Sequence, residues 1–514
     1  MGLPRQGRAH SCLKDKKMKQ LTILLLIFTT VAVRAQNFNK ECIFDNLSVV
    51  YMDVYPHEDT LVVTGLGSPG FYPYPAKLMF SRFDLAGNHI SNTYAMYDSV
   101  KAYFPLNTIE KGDKVLTVGA GGYGNLIIDW GFVCMADKNY NIQWLKDYEP
   151  DNNNSAFQFR DGLITEDGSI VAVAVQLLGN SRTVVLTKFD SLGNPVWEHE
   201  YMENGFRYDP LSLLQWNDTT YLIGIKRYGN GQFSRNVILR VDTAGNYLGK
   251  WVDPRDRGQG VKKMLKTDDG GVIFVGHTAI PYGADYRVQA YVCRLDSSFN
   301  KLWELLAGAP SGFCAVDDCT HFGDFIRVSD GNYVAVGRSG DSTIINGEKY
   351  YKSKGTAVKF TPDGEIIWER LYSYANNYLE GEDEILKGVA ELDDGSLVMC
   401  GQLLNHIADT VQRGWLLKTY PNGLIDSVNQ VFDPGTVHLS DAVRVSPNPV
   451  TSYVDISYLP GKIKTLRIFD IQGHMVYTCK PGKSQVRVDT CGLAPGVYAV
   501  LVNGHYSTRF VIWR

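Results

Sequence analysis

The chain has 514 residues, 44% of them hydrophobic, with 50 glycines and a formal charge of −4. That is enough core for two or three domains, and the composition fits a globular, turn-rich chain rather than a disordered one. Charge is uneven: residues 36–443 hold 35 basic against 51 acidic side chains, residues 444–514 nine against three. An acidic body argues against nucleic acid as a partner, and the change of sign marks a domain boundary.

The first element in chain order is a leader. Residues 14–35, KDKKMKQLTILLLIFTTVAVRA, join a basic head to an apolar run over 21–33 and end on the small Ala35. This layout predicts a signal peptide over 1–35, cleaved before Gln36 and too short to span a bilayer. Met18 would start a leader of ordinary length. No later stretch reaches 18 apolar residues, so no transmembrane segment is expected. After the leader, Cys134, Cys293 and Cys400 fall in apolar strand patterns and read as buried thiols. Cys314 and Cys319, in the polar run GFCAVDDCTHFGD, are candidates for a disulfide. A C-x4-C pair without a second pair is a weak metal site.

Residues 36–430 then repeat themselves. A turn aspartate recurs at Asp84, Asp137, Asp190, Asp242 and Asp296, and its slot continues at Thr361 and Tyr420. A tryptophan stands seven residues beyond the slot in four units, as Trp144, Trp197, Trp303 and Trp368. A second marker, a small residue ending an apolar strand, falls at Gly65, Gly119, Ala174, Gly224, Gly276, Gly337 and Gly401. Both markers count seven units of four short strands, bounded by Asp, Asn and Gly turns. No helical pattern of ten residues interrupts them. Units of this length and strand number predict a seven-bladed β-propeller, with a β-solenoid as the rival. The tryptophan is expected to fill the gap between blades. The small residue is expected where inner strands crowd the axis.

The Asp-turn-Trp hairpin resembles the tryptophan-docking repeats of quinoprotein-like propellers, although no quinone site is recognisable. It differs from the sialidase Asp-box in its Asp-to-Gly spacing.

No H-E-x-x-H, G-x-S-x-G or P-loop is present, and neither catalytic residues nor a cofactor is expected. Acidic residues 149–151 and 380–384 lack EF-hand spacing and read as solvated loops rather than calcium ligands. The loops after the small-residue strands are long and aromatic. Tyr72, Tyr74, Tyr228, Phe233, Tyr282, Tyr286, Tyr350 and Tyr351 would ring one face as a candidate glycan- or protein-binding rim. The alternative is that they pack the loops onto the blades.

A linker over 431–443 leads to residues 444–514, where six or so short strands predict a small β-sandwich. This block opens on Pro447-Asn448-Pro449, carries IFDIQGHMVY with Gly473, and continues as LAPGVYAV with Gly496 and Tyr498. It resembles the type A C-terminal sorting domain of type IX secretion cargo. The resemblance implies type IX machinery as a partner, passage across both membranes of a Gram-negative bacterium, and removal of the domain. The cargo would then be released, or anchored to surface lipopolysaccharide. The function expected is an exported binding module for a glycan or protein. The alternative is a propeller-based carbohydrate-active enzyme, a lyase or glycoside hydrolase, which paired carboxylates in the axial channel would favour.

Overall fold

The computed structural model describes residues 37–44, 47–69, 76–95, 101–123, 129–149, 155–229, 232–254, 258–282, 285–312, 320–345, 348–374, 382–405, 412–425, 443–458, 462–470, 475–503 and 506–513. Among them every regular element is a β-strand. Five four-stranded antiparallel sheets succeed one another over residues 48–95, 101–148, 155–201, 206–252 and 258–312. In each, the strands lie side by side in chain order. An eight-stranded sheet follows. It divides into halves, residues 321–372 and 382–419, joined by one parallel pair, Ser353 with Asp383.

The second half takes its fourth strand from the other end of the chain. Phe38–Cys42 pairs antiparallel with Arg413–Thr419, Phe38 lying opposite Lys418 and Cys42 opposite Gly414. Apolar side chains fill each junction between successive sheets. Val62 and Phe80 meet Tyr103 and Phe132 at one such junction, and Val173 and Leu186 meet Ile223 and Leu239 at another. The last junction returns to the first sheet, where Val398, Cys400 and Leu416 pack on Val49, Val63 and Met79. A cyclic order of four-stranded antiparallel sheets is a β-propeller.

The turn aspartate is a hydrogen-bonding device. Asp190 Oδ1 accepts the amides of Leu192 at 2.9 Å and Asn194 at 2.8 Å, and Asn194 Nδ2 returns a bond to Oδ2 at 2.8 Å. The same triplet recurs at Asp84, Asp137, Asp242 and Asp296. The residue three beyond has positive φ and is glycine in most units, although Tyr140 and Phe299 adopt φ of 63° and 64°. Glycine there does a second job. A Cβ on Gly193 would lie 2.7 Å from the Trp144 ring, and one on Gly364 2.8 Å from that of Trp303. Trp144, Trp303 and Trp368 therefore dock on the turn of the next sheet, His199 rather than Trp197 covers Gly245, and Phe38 closes the series over Gly87.

The small residue has a different cause from the crowding expected. Every first strand carries a register shift, between Tyr51 and Asp53, Pro105 and Asn107, Phe159 and Asp161, Pro210 and Ser212, Val261 and Lys263, Phe322 and Asp324, and Leu386 and Gly388. The small residue sits opposite this bulge on the second strand. A Cβ on Gly337 would lie 1.9 Å from the His321 carbonyl oxygen, and one on Gly401 1.8 Å from that of Ile385. The bulge pushes main chain into the space a side chain would need.

Residues 443–512 make two further sheets. One joins Val443–Ser446, Tyr453–Tyr458 and Gln485–Asp489; the other joins Met475–Cys479, Leu466–Phe469, Gly496–Val502 and Tyr506–Ile512. Val454, Ile456, Ile468, Val500 and Phe510 share one core between them. Asn448 of the Pro-Asn-Pro run accepts the Val511 amide at 2.9 Å, with Pro447 and Pro449 on either side. Tyr498 stacks on Phe510 and donates to the Ala494 carbonyl at 2.7 Å. Gly473 lies outside the described residues, as do Cys314 and Cys319. Cys134, Cys293 and Cys400 are buried free thiols.

Candidate functional site: the axial channel

The first strands of the sheets line two adjoining cavities, of about 580 and about 200 Å³. The bulges place two consecutive residues of each first strand toward the axis. The leading residues form one tier: Met52, Leu106, Arg160, Leu211, Lys262, Gly323 and Lys387. Of the following residues, Asp53, Asn107, Asp161, Lys263 and Asp324 line the cavities as a second tier one step further along the strands, with Ser212 and Gly388 at the equivalent register positions. First strands run away from the face that carries the second-to-third-strand hairpins, so the leading tier is nearer that face.

The second tier ties neighbouring sheets together. Asp53 accepts the Thr108 amide at 3.0 Å, Asp161 that of Leu213 at 2.6 Å, and Asp324 that of Val389 at 3.0 Å. Ser212 donates to the Val261 carbonyl at 2.9 Å, and Asn107 to Asp161 at 2.7 Å. Asp161 also takes the Gly162 amide at 2.7 Å. Lys263 forms an ion pair with Asp324. Burial, with neighbouring Asp324 adding to it, pushes the Asp53 carboxyl up to about 7. Burial does the same to Asp161, to about 7, against the pull of its amide donors. Burial is the largest influence and opposes the charge on Lys263, but Asp324, with Asp53 and Asp161 adding to it, holds the ammonium above the ordinary lysine range.

Sequence reasoning passed over these tiers, although a signal was present. The second-tier residue stands twelve or thirteen positions before each small residue. Its chemistry varies from Asp to Asn, Ser, Lys and Gly, so residue type never repeats where position does.

The aromatic rim is only partly in view. Tyr72 and Tyr74 lie outside the described residues. Tyr228, Phe233, Tyr282, Tyr286, Tyr350 and Tyr351, expected on loops, lie on strands. The reason is that the second and third strands keep pairing beyond the sheet body, until Tyr282 opposes Asp285 and Ile345 opposes Glu348. Tyr228 is half-buried, with Lys226, Arg207 and Arg182 at 4.9, 5.7 and 5.8 Å from its ring centre. Of residues 380–384, 380 and 381 lie outside the described residues, and the rest depart from the solvated loop expected. Asp383 is buried against Arg338 at 3.0 Å, and Glu384 accepts the Tyr374 amide at 2.9 Å. Among the described residues no group of His, Cys, Asp and Glu could hold a metal ion, and no helix is long and apolar enough to cross a membrane.

Residues 444–512 match the family model of the secretion system C-terminal sorting domain. A tail of this kind implies a secreted or cell-surface protein handled by the type IX machinery. No curated protein sequence matches the chain. Among solved structures, a puromycin hydrolase mutant is similar at 12% identity and TM-score 0.41, over 80% of this chain and 58% of that one. A polysaccharide lyase is similar at 9% identity and TM-score 0.40, over 72% of this chain and 89% of its own. The β-propeller domain of the Trilobed protease from Pyrococcus furiosus is similar at 11% and 0.36, over 75% and 98%. The chain thus spans little more than half of the puromycin hydrolase.

Proposed function

We propose that the chain is an exported binding module: a leader over 1–35, a seven-bladed propeller over 36–430, a linker over 431–443 and a sandwich-like sorting domain over 444–514. Seven blades are supported by the cyclic packing and by the first-strand bulge repeated in every sheet. The observation that carries binding over catalysis is the state of the channel carboxylates. Asp161 and Asp324 are occupied by main-chain amides of their own and the next sheet, so they act as ties rather than as a free acid–base pair. Contact with a glycan or protein then falls to the hairpin face, and the mature body is released or held on surface lipopolysaccharide. The test is a glycan and protein array probed with the mature chain, followed by Tyr282→Ala with Tyr286→Ala. Binding should be lost while the melting temperature stays within a degree or two. A loss of about 3–5 kcal/mol of stability would mark the two tyrosines as buried packing residues instead.

One observation favours the enzyme reading. Asp53 takes a single main-chain donor among the described residues and titrates near 7, within reach of acid–base work at neutral pH. Turnover of any polysaccharide by the mature chain, abolished in Asp53→Asn, would replace the binding reading.

A further inference from the structure

The larger cavity, of about 580 Å³, lies toward the end of the channel away from the second-to-third-strand hairpins. Its wall follows three first strands past the bulge, through Ile109 and Glu110, Leu163 and Ile164, and Leu214 and Gln215. Each of these strands ends within two residues, in the turn to its second strand, so such turns ring the mouth. Polar groups on this wall keep unused acceptor oxygens. Among the described residues the Gln215 carboxamide has no hydrogen-bond partner. Asn107 gives only its Nδ2, to Asp161 at 2.7 Å, which leaves its Oδ1 over. Glu110, exposed, accepts the Tyr140 hydroxyl on Oε1 and keeps Oε2. The cation on the wall is Lys263, and Asp324 holds it.

The mouth is acidic. The seven turns that follow the first strands are residues 58–59, 112–113, 165–169, 218–219, 267–271, 328–332 and 392–396. Together they carry eleven Asp or Glu and no Lys, Arg or His, and all eleven are exposed. Glu166, Asp167, Asp268, Asp269 and Asp330 pair with flanking cations. Glu58, Asp59, Asp113, Asp218 and Asp393 have no ion pair among the described residues. Charges of one sign around a cleft raise the local concentration of the opposite ion, although salt screens them too well for the rim alone to hold a ligand firmly.

We infer that this cavity binds a small organic amine in its ammonium form, the charged nitrogen on Glu110 and the polar body on Asn107 and Gln215. It is a second site, at the opposite end of the channel from the hairpin face. An ammonium is a pure donor, matched to acceptor oxygens and strongest on a carboxylate. Leu163, Leu214 and Met264 share the wall, and among the described residues no group of His, Cys, Asp and Glu could hold a metal. The ligand is therefore an organic molecule rather than a bare ion, and the volume is that of a small-molecule pocket. An amino sugar and a polyamine would supply the same ammonium.

Calorimetric titration of the full mature chain with a glucosamine trimer, its N-acetylated counterpart and spermidine, at physiological ionic strength, separates these sources. One amine or both should bind, and the neutral N-acetylated trimer should not. Glu110→Gln keeps an oxygen for Tyr140 and removes the charge, so amine affinity should fall about tenfold or more. Gln215→Leu should weaken binding severalfold and Gln215→Glu should strengthen it, with melting curves confirming that each variant is folded. Amine binding indifferent to Glu110→Gln and Gln215→Leu would place the amine on the acidic rim and overturn the inference. Binding of the N-acetylated trimer as tight as that of the amine, or no amine binding at all, would overturn it as well.

Discussion

Gly337 and Gly401 hold positions where an added methyl group would press on main chain, although Ala174 carries one at the equivalent slot of its own sheet. Each faces a main-chain carbonyl bulged out of the first strand, 1.9 and 1.8 Å from the site of a Cβ. Main chain fixed by its own ladder retreats less readily than a flexible side chain would. Gly337→Ala or Gly401→Ala should therefore cost about 1–3 kcal/mol by overpacking, read as a lower midpoint in denaturant. The reverse change at the equivalent slot, Ala174→Gly, should cost only about 0.5–1 kcal/mol from added chain freedom. Equal and negligible effects at all three would mean that the bulge gives way. The sequence showed that these positions must be small; the reason depends on a bulge in another strand, which no local pattern displays. The same bulge sets the behaviour of Asp53. Its carboxyl titrates near 7 in the fold and at about 3.8 as an ordinary carboxyl. Between those values the folded state keeps a proton that the unfolded chain has released, so stability falls as pH rises from about 4 to about 7. Asp53→Asn retains an oxygen for the Thr108 amide and removes the titration. Its melting temperature should gain on wild type between pH 5 and pH 8, and a difference that stays flat would show an ordinary carboxylate.

At the level of elements, the ring depends on a strand that the repeat did not announce. Phe38–Cys42 is five residues of mixed polarity, FNKEC, with neither turn signal nor alternation. Its partner lies some 375 residues away, opposite Leu416 and its neighbours, and pairing at that separation leaves no trace in local sequence. The hairpins behave in the opposite way. Asp, the positive-φ residue and Asn act within five residues of one another, and so the outer turn was readable in every unit that carries the triplet. Closure of the ring is nonetheless specific. Phe38 is buried over Gly87, Asn39 accepts from Trp415 Nε1 at 2.6 Å, and Glu41 pairs with Arg413 at 2.7 Å. Phe38→Ala should cost about 3–5 kcal/mol, as truncation of a buried phenylalanine does. Hydrogen exchange should show its effect concentrated at the junction of 382–419 with 48–95. Protection lost evenly around the ring would mean that the strand is not the closing element.

On the scale of the whole molecule, body and tail differ in charge, core and partner. The buried core of 443–512 is composed solely of its own residues, and no strand of the tail pairs with a propeller strand among the described residues. Between them, Arg467 donates to the Ile366 carbonyl at 3.2 Å. The tail was also the most readable part of the sequence, because its marks are short-range. Pro447, Asn448 and Pro449 adjoin the bond that Asn448 makes to Val511, and the stacked Tyr498 sits two residues after Gly496. A unit with its own core, an opposite net charge and a family match to a sorting domain should act as a detachable address. Deleting residues 444–514 should leave the melting temperature of the propeller within a few degrees of that of the full chain. It should also strand the protein in the periplasm of a host with an intact type IX system. Fusing the same residues behind a leader and an unrelated folded reporter should carry that reporter to the surface or the medium. If the tail were instead an adhesive part of the functional body, the truncated chain would still reach the surface and would lose binding there. Fractionating cells that express the two chains, with the reporter fusion alongside, separates these outcomes, and surface display of the truncated chain would remove the tail from the export pathway.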